Sequence, residues 1–216
     1  MIAIGTVRDY SDEFEDQWIR VQWLAGYKNS FGKEPVFSKQ VSKTNPIKDV
    51  IYVSDEKLIG GQEFVQNSKL SKVTNLLSQS SENCLWKSNF VHPDYQRQGI
   101  STKMWIYQKD KLLTSGIRNV EIWTGEEEYA LSFYKSLGAE FEYSYTQVLC
   151  VEKGVRYDYQ YDWVKKKMDV IKHTPAFKND GLVKTYIIEK HSGQSIPQNL
   201  AVIESQKCNS FILNIG

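Results

Sequence analysis

Val91-His92-Pro93-Asp94-Tyr95-Gln96-Arg97-Gln98-Gly99-Ile100-Ser101-Thr102 is the stretch on which the reading of this chain turns. An apolar, strand-like run from Cys84 to Phe90 leads into it, and a helix-like run from Lys103 to Thr114 leads out. The first N–H groups of a helix have no partner within the helix, and the macrodipole places partial positive charge beside them. A strand feeding a glycine-containing turn at a helix start is therefore an anion-binding device, and phosphate is the expected anion. Gly99 lacks a Cβ and tolerates positive φ, so the backbone can approach a ligand closely there. The N–H groups of Gln98, Gly99, Ile100, Ser101 and Thr102 can converge on one anion as a nest. The hydroxyls of Ser101 and Thr102 add donors, Arg97 adds positive charge, and Pro93 stops strand pairing just before the turn.

Working outward, the order of elements is mixed. Ile2 to Val7 reads as a strand. Asp12 to Ala25 reads as a helix with Phe14, Trp18, Val21 and Ala25 on one face, a capping-box-like start at Asp12 and Glu15, and Gly26 at its end. Residues 27–48 look irregular. Val50 to Val53 and Leu58 to Val65 read as a hairpin about Ser54-Asp55-Glu56-Lys57. Asn67 to Asn83 reads as a long connection with at most a short helix, and Leu85 to Val91 as a strand. The helix after the turn points Met104, Trp105, Leu112 and Leu113 at the core and stops near Ser115-Gly116. Asn119 to Thr124 is a strand. Glu126 to Leu137 is a helix with Ala130, Phe133, Tyr134 and Leu137 on one stripe and Gly138 past its end. Phe141 to Val151 and Val155 to Trp163 read as a strand pair. A helix-like segment then runs to about Ile171. Strands follow at Leu182 to Glu189, Leu200 to Ile203 and Phe211 to Ile215.

The chain has 216 residues, 41% of them hydrophobic and 13% aromatic, enough for one sizeable core with an extension. Lys plus Arg is 27 against Asp plus Glu at 26, a net charge of +1, so charge makes no case for nucleic-acid or membrane partners. The basic run Lys165-Lys166-Lys167 reads as a solvated face. Cys84, Cys150 and Cys208 suit neither a disulfide framework nor zinc and read as buried small hydrophobes. No run reaches membrane-spanning length and the N-terminus lacks a signal-peptide core, so a reduced, cytoplasmic compartment is expected.

Two blocks carry a resemblance. Val91-x-Pro93-x-Tyr95-Gln96-x-x-Gly99-Ile100-Ser101, followed by a helix, a strand and Ala130-x-x-Phe133-Tyr134-x-x-Leu137-Gly138, resembles the GNAT family of acyl-CoA-dependent N-acyltransferases. The family's (Gln/Arg)-x-x-Gly-x-(Gly/Ala) motif is Gln96-Arg97-Gln98-Gly99-Ile100-Ser101 here. The resemblance is specific over residues 88–138, loose over 1–87 and absent after about residue 165. It implies an α/β fold, a central mixed sheet flanked by helices, in a domain of residues 1–165, with a C-terminal extension over 166–216.

The resemblance also implies roles. Phe90 and Val91 would pair their backbone with the pantetheine arm of acetyl-CoA. Gln96 to Thr102 would hold its pyrophosphate. Tyr134 matches the family tyrosine near the thioester sulfur that can protonate the departing thiolate. Glu127 stands where the family often has Asn. The chemistry implied is direct attack of a primary amine, of a small molecule or an amino sugar, on the thioester, chiefly by alignment of two bound reactants. The Val91 N–H is the expected oxyanion donor. Glu63 is the carboxylate candidate for general base, beside the alternative of an ordinary solvent-facing strand residue. His92 reads as a surface residue, and His173 and His191 receive no role.

Acceptor specificity is expected from the first helical region, residues 66–83 and the last strand pair. There Tyr157, Tyr159, Tyr161 and Trp163 share one face of a strand, and Asp158 and Asp162 share the other. Residues 166–216 can add strands, cover the acceptor cleft or form a homodimer contact. Two other readings stand beside the leading one: a module that binds CoA without turnover, and a protein or peptide N-acetyltransferase.

Overall fold

The computed structural model describes residues 4–26, 39, 45–67, 80–152, 171–174, 183–190, 192–198 and 200–216. The chain divides into two compact units. The first holds Met1–Trp123, Leu137–Glu140 and Phe211–Gly216; the second holds Thr124–Ser136 and Phe141–Ser210.

In the first unit, strands β1 (Thr6–Asp9), β2 (Val50–Ser54), β3 (Lys57–Gln66), β4 (Asn83–Val91) and β5 (Asn119–Thr124) lie in that order. Neighbours pair antiparallel up to β4, and β4 runs parallel to β5. Helix α1 (Glu15–Gly26) covers one face and α2 (Ile100–Thr114) the other. Period-2 alternation sorts the side chains between them. Ile51, Val53, Leu58 and Phe90 pack with Phe14, Trp18 and Val21 under α1. Their chain neighbours Val50, Tyr52, Ile59 and Val91 pack with Ile100 and Met104 under α2. With both faces covered, β2 is buried at every position. Gly61 lets the sheet approach α1 closely, since a Cβ there would lie 2.5 Å from the Trp18 ring.

Several expectations shift. The first described strand covers Thr6–Asp9 and so runs two residues past Val7, while Ile4 and Gly5 stand outside it and Ile2 and Ala3 lie outside the described residues. Asp12–Phe14 form a 3-10 turn before α1, and no side chain caps it. Glu15 instead accepts the Lys39 N–H at 2.9 Å, so no capping box with Asp12 forms. Asp55 and Glu56 both have positive φ, which closes the hairpin in two residues and lets β2 and β3 run to Ser54 and from Lys57. Helix α2 begins at Ile100, three residues before the apolar periodicity suggested.

In the second unit, helix α3 is Glu128–Ser136 and the strands are β6 (Glu140–Glu152), β7 (Ile171–Thr174) and β8 (Val183–Lys190), with β8 antiparallel to both β6 and β7. Ile171 starts a strand rather than ending a helix. The two strands expected after residue 200 are one, β9 (Leu200–Asn214), because backbone pairing carries through the exposed polar stretch Glu204–Ser205. Phe211–Gly216 belong to the first unit, where the Ile215 N–H bonds the Arg118 carbonyl at 2.9 Å. The strand read at Val155 to Trp163, the basic run at 165–167 and most of residues 27–48 and 67–83 lie outside the described residues. Among those described, no helix is long and apolar enough to cross a membrane. Cys84, Cys150 and Cys208 are buried and form no disulfide among the described residues.

Candidate active site

The site grows from a mismatch in strand length. Pairing of β4 with β5 runs from Asn83↔Asn119 to Trp86↔Ile122. On its other edge β4 stays paired with β3 as far as Gly60↔Val91. Residues Lys87–Val91 therefore leave β5 behind, and among the described residues that edge of β4 is open. The cause is a bulge: Glu63 faces Ser88 while Phe64 faces Trp86, so Lys87 is the extra residue on β4. A bulge bends its strand and raises the local twist, which carries the end of β4 away from its parallel neighbour.

The His92 N–H bonds the Ile59 carbonyl at 2.7 Å. Alternation along an antiparallel ladder then turns the backbone of Phe90 toward β3 and that of Val91 and Asn89 toward the open edge. Of the two residues expected to pair with a bound ligand, only Val91 presents its backbone. Phe90 is a core residue, its ring edge-on to Trp18 at 4.7 Å between centroids.

Pro93–Tyr95 form a 3-10 turn, with the Asp94 N–H donating to His92 Nδ1 at 3.3 Å. His92 is half-buried beside Tyr95, with no link to the open edge. The turn then passes through two positive-φ residues, Arg97 at 64° and Gly99 at 74°. Gly99 is the N-cap of α2, no side chain caps the helix, and no acidic residue occupies its first turn. The N–H groups of Ile100, Ser101 and Thr102 thus lack intrahelical partners and face no competing negative charge. A Cβ built on Gly99 would meet nothing within 4 Å, so the space before these amides is open. Arg97 and Thr102 are exposed, and Ile100 is buried under the helix. Gln96 works on the protein itself: its Nε2 donates to the Val91 carbonyl at 3.1 Å and ties the turn to the strand end.

On the α1 face the arrangement is ionic. Glu63 is buried, not solvent-facing. Its Oε1 lies 2.9 Å from Lys87 Nζ, and its Oε2 accepts from Ser88 Oγ at 3.4 Å. Nearby, Lys39 Nζ pairs with Asp49 and sits over the rings of Trp18 (4.4 Å) and Tyr10 (4.8 Å). Burial pushes the Asp49 carboxyl up to about 6, against the pull of Lys39 and with a further push from Glu63. Burial, then Glu15, Asp12 and Asp49, push the Tyr10 hydroxyl up to about 12. Tyr134 is a buried residue of α3 in the second unit, edge-on to Phe133 at 5.2 Å.

Sequence reading missed Lys87, Asn89 and Gln62. Each is polar on a strand, and only the register between β3 and β4 says which face it takes.

Residues 36–157, more than half of the chain, match the acetyltransferase (GNAT) domain family. The chain belongs to the GNAT acetyltransferases and is an acyltransferase of the N-acetyltransferase type. The tandem GNAT protein of the clavulanic acid biosynthesis pathway superposes with a TM-score of 0.54 at 13% identity, over 80% of this chain and 53% of that one. An N-acetyltransferase from Staphylococcus aureus Mu50 gives 0.51 at 8% identity, over 99% and 100%. The PaiA N-acetyltransferase from Thermoplasma acidophilum, solved with coenzyme A, gives 0.49 at 12% identity, over 86% and 99%. The first two likenesses show the fold, a mixed sheet flanked by helices. No curated protein matches the sequence.

Proposed function

We propose that this enzyme transfers the acetyl group of acetyl-CoA to a primary amine of a small molecule or amino sugar. The single observation that supports the donor most is the open edge of β4 ending in a turn with unpartnered helix amides and an uncrowded Gly99. The amides of Gln98 to Thr102, with Arg97, take the diphosphate. The backbone of Val91 meets the pantetheine arm, as an added strand would.

The reaction needs few groups. The neutral amine nitrogen attacks the thioester carbon, the adduct's nitrogen loses one further proton as the C–S bond breaks, and the sulfur takes up a proton and departs as the thiol. The Val91 N–H, on the open edge, is suited to the oxyanion. Glu63, at the bulge, accepts the proton of the incoming ammonium, which takes the place of Ser88 or Lys87 at the carboxylate. By the family resemblance alone, Tyr134 is the residue assigned to give the departing thiolate its proton, regaining one from the nitrogen of the tetrahedral adduct. The free, buried cysteines suit a reducing, cytoplasmic setting.

Release of free thiol from acetyl-CoA across a panel of amines, amino sugars and peptides tests the reading. We expect turnover with a small amine and slower thiol release by Tyr134→Phe. Turnover confined to peptides would move the acceptor to the protein class. Tight CoA binding with no release on any amine would make the chain a binding module.

A further inference from the structure

Gln62 lies on β3, wholly buried on the face covered by α2. Its Nε2 donates twice, to Asn89 Oδ1 on β4 at 3.2 Å and to the Ser101 carbonyl in the first turn of α2 at 2.9 Å. Its Oε1 is buried and has no partner among the described residues. A buried acceptor without a protein partner adds nothing to stability, and methionine of similar volume would fill the space without one. What distinguishes glutamine here is its donor end, and that end joins two places of one kind. Asn89 is a residue whose backbone faces the open edge of β4. Ser101 belongs to the turn that carries the unpartnered amides.

We propose that Gln62 is a positioning residue that fixes the diphosphate-binding turn relative to the open edge of β4, so that one acyl donor spans both. This rests on the donor reading above. Every helix carbonyl at this position already accepts from within the helix, so the bond from Gln62 is a second, lateral one. It adds a directional restraint on the first turn of α2 from the sheet side, where Ile100 and Met104 supply apolar packing. Gln96 holds the other end of the same loop to Val91. A ligand touching only the strand edge gains nothing from Gln62. A ligand touching both edge and turn does.

Calorimetric titration with coenzyme A and with pantetheine, which lacks the diphosphate, separates these cases. Gln62→Met is expected to weaken coenzyme A binding roughly five- to tenfold, the loss of one hydrogen bond to a restrained partner. Pantetheine binding should not change. Gln62→Asn keeps the amide but is one methylene short, and should show the same split should the methionine variant not fold. If the wild type prefers coenzyme A and the variants weaken both ligands alike, or neither, the positioning role is overturned while the donor site stands. If the wild type binds both equally, the diphosphate site fails and this inference with it.

Discussion

Gln62 and Glu63 are consecutive on β3 and point to opposite faces of the sheet, and the two faces are built from different chemistry. Under α2 the fully buried polar groups are neutral amides, Gln62 with Asn89 and Gln108 with the Lys48 carbonyl, set in an apolar packing of Phe64, Trp86 and Trp105, while the one ion pair described there, Lys111 with Asp9, sits at the part-exposed margin. Over α1 the polar groups are charged, Lys87 with Glu63 and Lys39 with Asp49, set among aromatic rings. Neutral amides fix geometry without titrating. Ion pairs can exchange partners and respond to pH. On the proposed reading, the difference separates holding a donor, on one face, from moving protons for an acceptor, on the other.

The largest effect should come from the charged face. Glu63→Gln removes the proposed base and should lower kcat about 10²- to 10⁴-fold. Coenzyme A affinity should stay within twofold, as measured by calorimetry. Loss of donor affinity in step with kcat would erase the division between faces.

A smaller effect concerns stability. The folded state holds a proton on Asp49 up to a pH of about 6, whereas an ordinary carboxyl loses it near 3.8. The native state therefore binds more protons than the unfolded chain between these values. The contribution of Asp49 to stability is full below about 4 and is lost as pH rises to about 6. Asp49→Asn should remove that downward slope from denaturation curves taken across this window. An identical slope in the variant would show that Asp49 does not carry the linkage.

The α2 face was the more legible in sequence. Its strand, turn, helix and following strand are consecutive, and each is specified locally: an apolar run, Pro93, a glycine that takes positive φ, then a helical period. The α1 face depends on register. Lys87 becomes the bulged residue only because β3 and β4 slip past each other by one, and nothing within either strand states that slip. Glu63 was found as a candidate by type, but its burial and its partners come from β4. Gln62 goes unnoticed in the sequence, because a polar side chain gives no sign that a helix will cover it. Asp12 and Glu15 offered a local cap, and the long-range bond from the Lys39 N–H took Glu15 instead. In β9 the polar residues between two apolar stretches broke the pattern of burial without breaking the ladder of backbone bonds.

The central claim is that a turn with open amides beside an unpaired strand end holds the diphosphate of the acyl donor. Gly99→Val tests it most directly. The new side chain would have to adopt a φ near 74° and would stand in the open space before the amides of Ile100 to Thr102. Calorimetry should show saturable coenzyme A binding by the wild type and at least a roughly hundredfold loss in the variant, about 2.7 kcal/mol, in a chain that still unfolds cooperatively. A folded Gly99→Val protein that binds coenzyme A as the wild type does would contradict the account.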